Sequence, residues 1–255
     1  MKKTWLTAED TFGKVRPGIC VPIVETEQEK IWQEAERIRS LSVDLAEWRA
    51  DFYERADSPE DVIMTLQGIK ERLGEKRLLF TCRTAAEGGQ YMADQKAYLR
   101  LCQAAAASGC ADMVDLEVFR LGEHASSAIR LLQLHGCRVI ASSHDFESTP
   151  SVEDMRNRLL SMEELGADAA KLAVMPCEEQ EVLNLMQATL QADREMRIPV
   201  ITMSMGELGA VSRMSGRLTG SAVTFASAGT ASAPGQIPVE KMSELLEILY
   251  YLREP

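Results

Sequence analysis

No run of apolar residues in this chain approaches the roughly 18 that a membrane span requires. The opening segment MKKTWLTAEDTF has a basic start but no apolar stretch behind it, so it does not read as a secretory signal. These absences predict a cytoplasmic protein with no membrane partner. Positive charge is also short, with 28 Lys and Arg against 39 Asp and Glu and a formal net charge of -11. Nucleic acid is therefore not an expected partner, because binding it needs a basic patch. An anionic substrate would need a locally positive pocket inside an acidic protein. The six cysteines (Cys20, Cys82, Cys102, Cys110, Cys137 and Cys177) form no CxxC pair. No histidine stands at zinc-ligand spacing from them, so no metal site is expected. Structural disulfides are not expected in a cytosolic chain, and Cys20 and Cys82 lie in apolar runs that read as buried strand.

What is there is a regular alternation. Short apolar segments rich in β-branched residues recur near Cys20, Leu45, Phe80, Val114, Ile140, Lys171, Val200 and Thr224. They read as strands buried on both faces. Amphipathic segments lie between them. Ile31, Ala35 and Ile38 share one helix face, as do Val62, Leu66, Ile69 and Leu73, and Met155, Leu159 and Met162. Ser58-Pro59 and Thr149-Pro150 read as helix starts with proline at the first helical position. Gly74, Gly109, Gly136 and Gly166 fall where helices should stop. The last helix is expected to present Met242, Leu245, Leu249 and Leu252 on one face. Eight strands alternating with helices in about 250 residues match an α/β chain folded as a (β/α)8 TIM barrel. The expectation is a single domain over residues 1–255, with the segment before Arg16 closing the barrel bottom as a plug or hairpin. An open doubly wound sheet is the rival, and it loses ground because no GxGxxG follows the first strand.

Lys171, inside ADAAKLAVMP, is the most informative residue. Lysine is seldom fully buried unless paired or functional. A neutral amine in a dry pocket attacks carbonyls and can form a Schiff base. By strand alternation Lys171 shares a face with Ala169 and Ala173, which leave room beside it. Chemistry in a barrel sits at the C-terminal ends of the strands. Those ends carry Glu47, Arg49 and Asp51, then Arg83 and Glu87, then Asp115 and Glu117, then Ser143, His144 and Asp145. The seventh strand gives Met203 and Met205 and leads to Arg213, and the eighth leads to Ser232 and Gln236. Ordinary surface charge at strand ends, with salt bridges such as Arg49 to Glu87, would be the plainer account of this collar. It does not explain a buried amine together with a titratable base and surplus arginines. Of three histidines, His124 and His135 fall in or beside surface helices, whereas His144 ends a buried strand and is the acid/base candidate.

The segments EWRAD, TCRTAAEGG, DLE, SSHDF, AKLAVMP, ITMSMGELGAVSR and TFASAGTASAPGQ resemble those of the type I 3-dehydroquinate dehydratases, the Schiff-base enzymes of the shikimate pathway. The resemblance spans nearly the whole chain, and the combination of SSHDF, AKLAVMP and SAPGQ is the specific part. It implies a barrel that typically dimerises and needs no metal or cofactor. It implies removal of water from 3-dehydroquinate to give 3-dehydroshikimate, a step used in aromatic biosynthesis and in quinate breakdown. By motif position Lys171 would form the imine, His144 would be the general acid/base and Glu87 would orient His144. Glu47, Arg49, Arg83, Arg213, Ser232 and Gln236 would bind the substrate, with Met203, Met205 and Phe225 as the apolar wall. Pro22 stands where some relatives would be expected to have a small hydroxyl residue.

The residues fit that chemistry in their own right. An iminium is an electron sink that acidifies the neighbouring C–H, and one histidine can shuttle the protons in turn. Arg213 can grip a carboxylate through two parallel hydrogen bonds. A class I aldolase would also use a barrel lysine imine, but its substrates are often phosphorylated, and no glycine-rich phosphate cradle follows the seventh or eighth strand. A non-catalytic sugar-acid binding protein would be expected to lack the lysine or the histidine. The loop from Ala228 to Gln236, rich in small residues, reads as a lid carrying Ser232 and Gln236.

Overall fold

A computed structural model describes residues 5–9, 15–229 and 232–251 of the chain. Eight parallel strands follow one another around the sheet: β1 (Gly18–Ile23), β2 (Leu45–Arg49), β3 (Arg77–Thr81), β4 (Met113–Glu117), β5 (Arg138–Asp145), β6 (Ala169–Val174), β7 (Val200–Ser204) and β8 (Val223–Ser227). Each pairs with its sequence neighbour from β1 to β7, and β8 pairs with β1. The seam between β7 and β8 is closed differently. A single bridge joins Val200 to Ser221, and Ala222 N–H donates to the Val200 carbonyl at 2.8 Å. A two-residue strand, Ile237–Pro238, pairs with Ala226 and Ser227 on the β8 edge away from β1. The eight expected strands are all present, and the expected barrel with them.

Period-two alternation divides each strand between two cores. Outward residues such as Val21, Trp48, Phe80, Val114, Val139 and Leu172 pack against the helices. Inward residues Cys20, Leu45, Leu79, Met113, Ile140, Ala169, Ile201 and Val223 fill the barrel. The N-terminal segment closes its lower end. Leu6, fully buried, joins that inner cluster, the Trp5 ring lies 4.3 Å from the Arg138 guanidinium, and Arg77 donates to the Trp5 carbonyl. Ala8–Glu9 and Val15–Arg16 form a short antiparallel ribbon beside it. Plug and hairpin are thus both present under the first residues of the strands.

The helices are α1 (Gln28–Arg39), α2 (Pro59–Leu73), α3 (Gln95–Ala107), α4 (Ala125–Gln133), α5 (Val152–Glu164), α6 (Glu179–Glu195), the single turn α7 (Gly216–Thr219) and α8 (Val239–Tyr251). The three predicted apolar faces of α1, α2 and α5 are the buried ones. Ser58 caps α2 by accepting from Asp61 N–H, with Pro59 as its first residue. Two expectations need correction. Helix α5 begins at Val152, not at Pro150, because Ser151 takes the cap position and accepts from Asp154 N–H, while the Thr149 hydroxyl turns away to the Met175 carbonyl. Helix α8 buries Val239, Met242 and Leu246, leaving Leu249 exposed, and Leu252 lies outside the described residues. The helix leaves Ile237–Pro238 without a loop, so that strand's pairing sets its rotation, not its most apolar row.

Candidate active site

Above the apolar filling, the next inward positions are polar. Glu47 and Arg49 on β2, Thr81 and Arg83 at the end of β3, Asp115 and Glu117 on β4, Ser142 and His144 on β5, and Lys171 on β6 all follow the inward alternation. Glu47, Asp115, Glu117, Arg83 and Lys171 are each under 5% exposed, so their charges must be compensated by one another and not by water.

Lys171 Nζ donates to Asp115 Oδ2 at 3.0 Å and stands 3.5 Å from Glu47 Oε1. The Phe225 ring centre lies 4.6 Å from the same nitrogen, a cation–π distance. Ala169 and Ala173 flank it on the strand, as their small size suggested. Glu47 is held in turn by the Thr81 hydroxyl at 2.8 Å. His144 Nδ1 lies 2.9 Å from Glu87 Oε2, and the same oxygen accepts the His144 backbone N–H at 3.1 Å. Two bonds to one oxygen fix both the ring and the chain that carries it.

Burial dominates the electrostatics of this pair. It pushes the Glu87 carboxyl up to about 8 against the pull of Arg83. It holds His144 well below the usual imidazole range, with Arg83 and Lys171 acting in the same direction. Below about 8 the pair therefore carries two protons, one on the carboxyl and one on the neutral ring, and no net charge. Asp115 goes the other way. Burial alone would raise it, but Arg83, Lys171 and His144 and the Ser142 hydroxyl outweigh that and hold it below the usual carboxylate range. Neighbouring carboxyl groups pushed apart in this way divide naturally between an ionised and a proton-bearing role.

Arg83 is the hub of the network. Its Nη1 donates to Glu117 Oε1 at 3.0 Å and to the Ser142 hydroxyl at 3.2 Å, and its Nη2 pairs with Asp115 Oδ1 at 2.8 Å. Arg49 is bidentate to Asp51, at 2.8 Å for both bonds, so the suggested bridge from Arg49 to Glu87 is not formed. Glu87 has Arg83 as its cationic neighbour instead, at 3.6 Å.

These groups surround one cleft at the C-terminal ends of the strands. Glu47, Arg49, Arg83, Glu87, His144, Lys171, Met203, Met205, Phe225, Ser232 and Gln236 all line it. Of the site residues expected from sequence, Arg213 alone is not at its wall. It lies behind the loop that carries Ser232 and Gln236, 3% exposed, with Nη2 donating to the Pro234 carbonyl at 3.0 Å. Its Nε and Nη1 have no hydrogen-bond partner among the described residues, and burial alone brings it down to about 10. Two buried donors of one guanidinium are thus left without a protein acceptor.

The described part of the 228–236 loop lies over the mouth. Ser232 N–H donates to Gln236 Oε1, and Gln236 Nε2 donates to the Ser232 hydroxyl, both at 2.9 Å. Gly235 makes the tip feasible: its φ is +77°, and a Cβ there would stand 2.1 Å from the Gly206 carbonyl oxygen. Thr230 and Ala231 lie outside the described residues. Sequence reasoning did not assign a role to Asp115, although its inward position in DLE, next to Glu117, was a usable signal. It also passed over Gly88 and Phe146, which line the cleft together; a Cβ on Gly88 would meet the Phe146 ring at 2.3 Å.

The family model for type I 3-dehydroquinase matches residues 19–253. The 3-dehydroquinate dehydratase of Bacillus licheniformis is 42% identical over 255 residues, covering 98% of this chain and 99% of the relative. That of Syntrophotalea carbinolica is 44% identical over 244 residues, covering 94% and 95%. Among solved structures, the 3-dehydroquinate dehydratase of Geobacillus kaustophilus superposes with a TM-score of 0.92 at 39% identity over 100% of both chains. The type I enzyme of Clostridium difficile, solved with covalent modified comenic acid, gives 0.90 at 35% identity over 98% and 99%. A family match over almost the whole chain, with relatives that pair with it end to end, means that this chain belongs to the type I 3-dehydroquinases.

Proposed function

We propose that the chain, acting as one barrel domain over residues 1–255, removes water from 3-dehydroquinate to give 3-dehydroshikimate through an imine on Lys171. The observation that carries this reading is the pairing of a buried amine with a carboxyl-tethered imidazole in one cleft. The Lys171 amine adds to the substrate ketone, and loss of water leaves an iminium. His144 takes the proton from the adjacent carbon into the Nε2 lone pair while Glu87 holds Nδ1. The same ring returns that proton to the departing hydroxyl, and water then releases the conjugated ketone and restores the amine. Arg213 takes the substrate carboxylate, and Glu47, Arg49, Arg83, Ser232 and Gln236 meet its hydroxyls. Met203, Met205 and Phe225 keep water from the imine. The covalent adduct of the Clostridium difficile relative is in keeping with a covalent route. The homodimer that the resemblance implies belongs to the same reading, and sedimentation equilibrium tests it.

The deciding experiment is borohydride reduction in the presence of 3-dehydroquinate. Turnover, followed by ultraviolet absorbance of the conjugated product, should be lost irreversibly, and peptide mass spectrometry should place the reduced adduct on Lys171. An adduct on another lysine, or retained activity, would refute the imine.

A further inference from the structure

We propose that Asp115 is a positioning residue for the imine chemistry: it fixes the Lys171 nitrogen and remains beside it as the counter-ion of the iminium. This rests on the imine reading above and adds a residue to it.

The geometry starts from the amine. Asp115 Oδ2 is its nearest acceptor, at 3.0 Å, whereas Glu47 is at 3.5 Å and already accepts the Thr81 hydroxyl. Asp115 is itself immobile. It is 1% exposed, and its other oxygen is taken by Arg83 at 2.8 Å and by the Ser142 hydroxyl. Ser142 stands on β5 between the two strands concerned, in register with Lys171 on β6 and with Glu117 on β4. The Phe225 ring centre lies 4.6 Å from the nitrogen, and lysine and ring both line the cleft in which a carbonyl would meet the amine.

An ammonium and a ketone give an iminium and one water, so a single positive charge sits on the same nitrogen before and after. The iminium keeps one N–H, and Asp115 Oδ2 is the acceptor placed for it. A fixed anion at that spot favours the charged form of the imine, which is the form that draws electrons from the adjacent carbon. Arg83 and Lys171 keep Asp115 ionised against the effect of burial, so it serves as a charge and not as a proton carrier. The proton traffic falls to Glu87 and His144.

Asp115→Asn keeps the shape and removes the charge. Borohydride trapping with 3-dehydroquinate should be measured against pH for wild type and variant, with kinetics alongside. Losing a charge-assisted hydrogen bond should lower kcat by roughly ten- to hundredfold. KM should stay within a factor of about two, because no substrate contact is touched. The high-pH limb of trapping should move to lower pH, because the iminium loses its anion and gives up its proton more readily. A merely structural residue would not move that limb. An unchanged limb in a folded variant overturns the proposal, whatever happens to kcat. Should Asp115→Asn fail to fold, as circular dichroism would show, Ser142→Ala decides. It removes one of the two partners of Asp115 Oδ1, leaving Arg83, and should move the limb the same way by less, and an unmoved limb again overturns the proposal. If wild type itself gives no adduct on Lys171, the imine reading and this inference fall together; a trapped wild type with unshifted variants removes only Asp115.

Discussion

Replacing Arg213 by lysine keeps a positive charge at the site but removes the planar fork. The native guanidinium uses Nη2 on the Pro234 carbonyl and leaves Nε and Nη1 without protein partners, in a position only 3% exposed. A carboxylate would take one of those donors, alone or together with the second N–H of Nη2, which shares an edge with each of them. An ammonium in their place offers a single point of contact from a different distance. A hydrogen bond to a charged group contributes about 1.5–3 kcal/mol. At ~1.4 kcal/mol per decade, losing one raises KM for 3-dehydroquinate by roughly ten- to hundredfold. Initial rates by ultraviolet absorbance supply that number directly. A companion variant, Arg213→Met, separates binding from stability. It removes a buried charge whose carboxylate is supplied only by substrate, while Gly206 N–H stays on the Pro234 carbonyl at 3.3 Å. An apolar side chain of similar length should therefore leave the unliganded protein at least as stable as wild type. Each kcal/mol gained would appear as a rise of about 2–4 °C in Tm for a chain of this size. Binding should meanwhile be nearly abolished. An unchanged KM in Arg213→Lys would refute the assignment of the carboxylate to Arg213. A lowered Tm in Arg213→Met would refute the claim that the unliganded site carries an uncompensated charge.

Lys171→Ala should abolish turnover and borohydride labelling, and it should also lower Tm, because Asp115 and Glu47 lose a buried partner. Breaking a buried pair costs about 3–5 kcal/mol, and the lower end applies here since Arg83 and Ser142 stay with Asp115. For Glu87, whose carboxyl is pushed up to about 8, the sign is definite. Below about 8 its proton occupies the Nδ1 side of the pair and His144 Nε2 carries the other; above it Glu87 is ionised, Nδ1–H donates and Nε2 is free as a base. The log of kcat/KM should rise with pH through about 8 in wild type and lose that limb in Glu87→Gln; a limb that persists in the variant belongs to another group. Gly235→Ala forces a Cβ against the Gly206 carbonyl at a φ of +77°, so it should shift Ser232 and Gln236 and raise KM, with Tm little changed because the residue is in a surface loop. An unaltered KM there would remove the loop from substrate binding.

The sequence alone was enough for everything that repeats along the chain. The strand segments, the inward and outward rows and the apolar faces of α1, α2 and α5 follow from periods of two and 3.6, which are local properties of the backbone. Lys171 was legible for the same reason: a charge inside an apolar strand breaks a local rule. The resemblance of SSHDF and AKLAVMP then pointed to His144 as its partner. Contacts between strands distant in sequence were out of reach of any local pattern. Asp115 meets Lys171 across 56 positions, and Glu87 meets His144 across 57, and only the side-by-side order of the strands in the sheet makes those distances short. Strand pairing also chose the buried face of α8, by fixing the strand Ile237–Pro238 from which it starts. Its effect on charge is the same in kind. Arg83, Glu117 and Asp115 read individually as binding or surface groups, and the dry interior made them one network of ion pairs in which the buried charges compensate one another.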